Sequence, residues 1–346
     1  MKNNEAVTIY DIAKAAGVSP GTVSRTLNNV GYIKDETRNR IEKAVHELKF
    51  TPNRAARTLK TKKTGLILLA IPDTDNAFYV DMVKAVQSTA KLHGYSLVLN
   101  YTEGKVQDEI KAIKMLHENF TDGMILITFD FKQAHLKEIE RINCPLVISG
   151  ISAVDLGGKE TDRFDYVGVD TGKGMHTAVR HLIAQGHSRI AYIGGIKNLE
   201  VFEERFRGYR NALIDSGLQV ADELVYWKDY AESSGYEAAN RFLNLEDRPS
   251  AVCAANDMLA IGAIRAFEEN GIRIPQDMAI VGMDNIDIGF RIKPKLTSVS
   301  IAQAEIGRTA AELLFMRLSG KEKGLSRRII FETRLVVRES SINYKE

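Results

Sequence analysis

The residues of this 346-residue chain that could do chemistry are few, and most stand at spacings that do not combine. His176 and His181 are five apart, whereas two imidazoles on one helical face need a spacing of four, and no HExxH sequence occurs. Ser149-Gly150-Ile151-Ser152 lacks the GxSxG frame of a nucleophile elbow, and Gly172-Lys173-Gly174 lacks a surrounding phosphate loop. Cys144 and Cys253 stand far apart, with neither CxxC nor disulfide-framework spacing, and read as small core hydrophobes. No enzyme, metal or cofactor is expected. The set that coheres is Ser19-Pro20, a hydroxyl that can cap a helix and a proline that can open one.

That set needs a helix to present it. Ile9, Ile12, Ala13 and Ala16 share one face of a helix beginning after Thr8. Gly17-Val18 breaks it, since glycine supplies the positive φ of a tight turn. Ser19 then caps a second helix with Pro20 at its first position, running to about Asn28 and burying Val23 and Leu27. A third helix from Asp35 or Thr37 brings Ile41, Val45 and Leu48 to the same small core. Two short helices joined by a tight turn can set the second into a major groove. Charge agrees: residues 1–63 hold 13 Lys and Arg against 6 Asp and Glu, while the remainder is mildly acidic.

From Gly65 onward, apolar runs from Leu66–Ile71 to Met278–Val281 alternate with helical patterns from Phe78–His93 to Glu305–Leu318. Several of these helices end at glycine: Gly94, Gly186, Gly217, Gly271 and Gly320. The alternation predicts an α/β fold with parallel sheets covered on both faces, in two lobes. Ligands of such sheets sit beyond the carboxyl ends of the strands. With 44% hydrophobic and 27% charged residues, and no apolar run near the ~20 residues of a membrane span, a soluble cytoplasmic protein is expected. The N-terminus reads as no secretory signal.

Thr8-Ile9-Tyr10-Asp11-Ile12-Ala13, Ala16-Gly17-Val18-Ser19, Thr22-Val23-Ser24-Arg25-Thr26-Leu27-Asn28 and Thr51-Pro52-Asn53-Arg54-Ala55-Ala56-Arg57-Thr58-Leu59 together resemble the head of the lactose-repressor/galactose-repressor (LacI/GalR) family. The resemblance implies that Pro20 and Gly21 take the two positions that vary operator choice. Both lack side-chain donors, so base readout falls to Thr22, Ser24 and above all Arg25, which could grip guanine O6/N7. Thr8, Tyr10, Ser19, Asn28 and Tyr32 would position phosphates. Asn53, Arg54, Ala56, Arg57 and Leu59 would form a hinge helix, with Leu59 as a wedge in the minor groove. Segments that short are marginal helices alone and are expected to order on DNA.

The body resembles the same family, and through it the periplasmic sugar-binding proteins, at Gly186-His187-Ser188-Arg189, Arg205-Phe206-Arg207-Gly208-Tyr209, Asn256-Asp257-Met258-Leu259 and Val281-Gly282-Met283-Asp284-Asn285. By that match the effector cleft takes Asp73, Asn76, Phe78 and Tyr79 from the first lobe, with Thr128 and Ser149 nearby. From the second lobe it takes Arg205, Tyr230, Asn256 and Asp284. Carboxylates, amides and a guanidinium suit a polyol, and aromatics stack on its C–H faces. Asp257 and Asp170 read instead as helix N-caps. Ala77 replaces the family's usual proline, Ile127 and Gly150 fall where sugar binders often place polar groups, and Met283 replaces an aromatic.

The predicted organisation is residues 1–50 as a helix-turn-helix DNA-binding domain and 51–64 as hinge helix and linker. An effector-binding first lobe covers 65–163, joined by about 294–323, and a second lobe covers 164–293, joined by about 324–346. The expectation is a ligand-responsive repressor of carbohydrate-utilisation genes, a homodimer on double-stranded, near-palindromic operator DNA, with a sugar or sugar derivative as effector. The alternative is the same fold answering a nucleobase, a phosphorylated metabolite or a protein corepressor.

Overall fold

The computed structural model describes residues 7–28, 30–51, 58, 61–73, 77–150, 164–322 and 324–342. The chain forms two compact units, Met1–Thr64 and Gly65–Glu346. In the first, α1 (Ile9–Ala16), α2 (Pro20–Leu27) and α3 (Asp35–Glu47) close on Ile12, Ala13, Ala16, Val23, Ile41 and Ala44. Asp11 accepts from the Thr8 backbone and hydroxyl at 2.8 and 2.7 Å, tying off the start of α1. Gly17 ends it at φ +63°, with the Val18 amide returning to Ala13 O at 3.0 Å. Leu48 departs from expectation: it is 37% exposed just past α3, and Ala44 takes the core place one turn earlier.

The second unit holds two six-stranded sheets. The first has the order β2–β1–β3–β4–β5–β11, from Ser96–Tyr101, Leu66–Ile71, Gly123–Ile127, Leu146–Ser149, Asp165–Val169 and Arg328–Phe331, all parallel. The second has the order β7–β6–β8–β9–β10–β12, from Val225–Trp227, Ile190–Gly194, Ala251–Ala254, Ala279–Asp284, Thr297–Ser300 and Arg334–Val336. Only the β10–β12 pair in it is antiparallel.

Helices α4 (Phe78–Leu92), α5 (Val106–His117), α6 (Gln133–Ile139) and α11 (Gln303–Leu318) belong with the first sheet. Helices α7 (Thr171–Ala184), α8 (Glu200–Asp215), α9 (Glu232–Leu243) and α10 (Asp257–Glu269) belong with the second. The glycines expected to end helices at 94, 186, 217, 271 and 320 all take positive φ.

The chain crosses between lobes later than the sequence predicts. Strand β5 at 165–169 lies in the first sheet, whereas 164 was expected to open the second lobe, and β11 at 328–331 pairs with it there, whereas 324 was expected to begin the second-lobe return. Strand β10 at 297–300 stays in the second sheet, whereas 294 was expected to begin the return. Apolar strands of both lobes look alike, so only their pairing assigns them. β7 and β12 are three residues long, below the length at which periodicity identifies a strand, and the expected strand series ends at Val281, short of β10 and β11. Helices α5 and α7 begin about a turn ahead of the apolar repeats expected from Ile110 and Met175, because first turns such as Thr171-Gly172-Lys173-Gly174 carry no such repeat.

Candidate functional site

The first site is the surface of α2. Pro20 opens the helix, and Ser19 Oγ accepts from the Thr22 amide at 3.1 Å and lies 2.9 Å from the Thr22 hydroxyl. Thr26 donates to Thr22 O at 2.9 Å, and Asn28 Nδ2 to Ser24 O at 2.7 Å. Several of the helix's small donors are therefore engaged locally. Arg25, the only charge on α2, is exposed, as are Gly21 and Asn28. Tyr10 and Tyr32 are 74% and 89% exposed, outside the head's core. A Cβ at Gly21 would meet only Ser19 Oγ, at 3.7 Å, so nothing within the head requires glycine there. Asn53, Arg54, Ala56, Arg57, Leu59 and, in the body, Asn76 lie outside the described residues.

The second site lies at the carboxyl ends of the strands in the body, where the two lobes face each other. It is a cavity of about 70 Å³. From the first lobe it takes Phe78, Tyr79, Phe129 and Ser149, and from the second Phe202, Glu204, Arg205, Tyr230, Asn256 and Asp284. Phe129 reaches across to Phe202 and Tyr230, with centroids at 6.2 and 6.3 Å, while Phe202 stacks on Tyr230 at 6.1 Å. Gly150 sits at φ +95°, where a Cβ would meet Thr128 O at 2.7 Å, so this wall requires glycine.

At the base, Arg205 and Asp284 are 7% and 5% exposed. Arg205 Nη2 lies 3.4 Å from Asp284 Oδ1, an ionic contact longer than a good hydrogen bond, and Nη1 donates to Ala255 O. Arg205 Nε and Asp284 Oδ1 are thereby buried without hydrogen-bond partners. Burial pushes the Asp284 carboxyl up to about 7, against the pull of Arg205. Its backbone stands at φ +112°, which side chains other than glycine seldom adopt. Burial, and next the Asp284 charge, hold the Tyr79 hydroxyl well above its ordinary value, leaving it a neutral donor.

Several expectations change on contact with the geometry. Thr128 is not on the cleft: its hydroxyl turns inward to Glu109 at 2.8 Å. Asn256 lines the cleft, but it is also the N-cap of α10, accepting from Leu259 N at 2.8 Å and donating to Tyr230 O at 3.2 Å. Asp257, expected as that cap, is instead the buried first residue of α10, accepting from Ser298 Oγ and the Ile286 amide at 2.6 and 2.8 Å. Asp170 caps α7, accepting from Lys173 N at 2.8 Å. Asp73 is not among the lining residues, although its charge reaches Tyr79 and Tyr230. Arg205 and Asp284 pair within the second lobe.

Trp227 packs in the second core against Tyr192 and Phe206, whereas Tyr230 lines the cavity. Phe129, Phe202 and Glu204 were missed. Phe129 could have been found two residues past β3, where strand-end loops carry ligands. Phe202 lies three residues before Arg205 on α8, hence on the same helical face.

Among the described residues, no three or more His, Cys, Asp or Glu gather to hold a metal ion, and no helix is long and apolar enough to cross a membrane. Residues 8–53 match the bacterial regulatory proteins of the lacI family, and residues 179–341 match the periplasmic binding protein-like domain. The HTH-type transcriptional repressor PurR of Photobacterium profundum is 31% identical over 96% of this chain and 98% of its own length.

Among solved structures, the lac repressor dimer bound to operator and the anti-inducer ONPF matches with a TM-score of 0.86 at 27% identity, over 98% of this chain and 100% of that one. The transcriptional regulator CelR–cellobiose complex matches with a TM-score of 0.72 at 30% identity, over 96% and 99%. A helix-turn-helix head, a two-lobed body and full-length relatives that are transcription regulators rather than enzymes lead to one conclusion: the chain belongs to the lacI family of DNA-binding transcription regulators.

Proposed function

We propose that the chain is a repressor that binds a near-palindromic operator as a homodimer and answers a small molecule held between its lobes. The observation that carries this reading is the cavity at the strand ends, walled by aromatics from both lobes and floored by a buried Arg205–Asp284 pair. A buried guanidinium and carboxyl with unpartnered atoms can take hydroxyls as hydrogen-bond partners, while aromatic faces stack on a sugar ring. The cellobiose complex of the similar regulator CelR supports a sugar or sugar derivative as effector.

A cleft of about 70 Å³ is far below the roughly 300–1,000 Å³ of ordinary ligand sites, so the effector must part Phe129 from Phe202 and Tyr230. That parting would change lobe orientation and, through residues 51–64, the order of a hinge helix. In the head, Arg25 reads a guanine, helped by Thr22 and Ser24. Thr8, Tyr10, Ser19, Asn28 and Tyr32 position phosphates, and Leu59 wedges the operator centre. Leu59→Ala is then expected to lose operator affinity while effector affinity stays intact.

A second reading takes a planar heteroaromatic effector such as a nucleobase. It is favoured by the five aromatic rings among the lining residues, whose faces can stack on a planar ring. Selection of duplex DNA from a random pool by the full-length protein separates the readings, run alone, with a sugar panel and with a nucleobase panel. An enriched palindrome that responds to sugars supports the first, and one that responds only to nucleobases supports the second. No palindrome from a folded dimer at low salt would overturn the operator assignment.

A further inference from the structure

Behind the first-lobe wall of the cleft lies a polar cluster sealed in an apolar layer. Glu109 on α5, His135 on α6 and Thr128 just past β3 are 1%, 0% and 0% exposed. Their neighbours on those helices, Ile113, Leu116 and Ile139, belong to the first-lobe core. Glu109 Oε2 accepts from Thr128 Oγ1 and from His135 Nε2, each at 2.8 Å, while Oε1 is buried without a partner. His135 Nδ1 accepts from the Lys132 amide at 3.0 Å, which places the ring proton on Nε2 and aims it at Glu109. A carboxylate sealed away with one bare oxygen is a poor way to stabilise a core, where apolar side chains of similar volume serve at least as well. Its use lies in what it holds.

It holds the turn 128–132. Thr128 Oγ1 also accepts from the Asp130 amide at 3.3 Å, and the Thr128 amide donates to Ser149 O at 3.0 Å. The Phe131 ring stacks on His135 at 5.1 Å, and Lys132 ends on the same imidazole. Of these five residues, Phe129 is the one that lines the cleft, facing Phe202 and Tyr230.

We propose that Glu109, His135 and Thr128 are positioning residues for the cleft: the trio fixes the turn and thereby presents the Phe129 ring to the small molecule on which the lobes close. The proposal rests on the cleft reading given above. Its consequence is that a ligand stacking on Phe129 is held through residues that never touch it.

The test measures hydrogen exchange by mass spectrometry along the full-length chain, with no ligand present. Glu109→Leu removes the acceptor, Thr128→Val removes one donor at nearly constant volume, and Glu109→Gln keeps an oxygen for both donors. Glu109→Leu and Thr128→Val are expected to speed exchange of amides 128–132 roughly tenfold, while β3 and the head exchange as before. Glu109→Gln is expected to stay within about twofold of the parent. With 4-fluorophenylalanine at position 129, the fluorine resonance is expected to shift in Glu109→Leu and return in Glu109→Gln.

Unchanged exchange in Thr128→Val would overturn the proposal. So would acceleration spread evenly over the first lobe, or failure of Glu109→Gln to rescue. If Glu109→Leu does not fold, Thr128→Val carries the decision. Failure of the cleft reading shows elsewhere: Phe129→Ala would then leave the ligand response of operator selection untouched.

Discussion

The head and the body treat polar groups in opposite ways. The head closes a small core of Ile12, Ala13, Ala16, Val23, Ile41 and Ala44 and leaves Arg25, Tyr10 and Tyr32 outside it. The body takes ionisable groups inside: Asp165 with Arg317, Arg205 with Asp284, and Asp257 beneath the strained end of β9. A group on a surface contributes when a partner arrives, whereas a buried one contributes to the fold at all times. Substitutions in the head should therefore change DNA binding with little change in body stability. Substitutions at the body's buried ions should change stability whether or not a ligand is present.

The sharpest break of that contrast is Arg317→Leu. Arg317 Nη2 and Nε grip Asp165 at 2.7 and 2.9 Å, and Asp165 is 2% exposed. Leaving that carboxylate to the Arg327 amide, at 2.8 Å, should cost about 3 kcal/mol of body stability in a denaturant titration, with the head's own unfolding unmoved. Next comes Arg25→Ala, which should lose about 1–3 kcal/mol of specific operator binding and relax preference at one base pair of each half-site. Fluorescence anisotropy on matched and substituted duplexes reads both, and thermal stability of the body should not change. Ser19→Ala removes the cap of α2 and should cost the head about 1 kcal/mol, seen as a lower melting point of the first unit alone.

The remaining prediction concerns pH dependence, and its sign follows from Asp284. Burial raises its carboxyl from 3.8 to about 7, so between those values the folded chain keeps a proton that the unfolded chain releases. The stability it contributes is complete below about pH 4 and is lost as pH rises through about 7. Asp257 is raised by burial, and next by Asp284, in the same direction. Asp284→Asn should therefore flatten the fall in melting temperature between pH 4 and 7; an unchanged slope would remove Asp284 as its source.

What was legible in the sequence follows the same division. The turn at Gly17, the cap at Ser19 and Pro20 at the start of α2 are local events, decided by φ preference and by hydrogen bonds three residues apart. The alternation of apolar runs with capped helices likewise announces parallel sheets, because it reflects two-sided burial of each strand. Arg205, Tyr230 and Asp284 were named for the cleft from motif resemblance, and the structure brings them to one cavity.

Sequence alone determined the kind and order of the longer elements and the exposed face of α2. Each of these depends on residues within a few positions of one another. Tertiary structure decided which sheet claims β5 and β10, that Thr128 turns from the cleft to Glu109, and that Phe129 and Phe202 meet across it. Those outcomes join residues on separate elements, and no local pattern encodes which buried donor will find which acceptor.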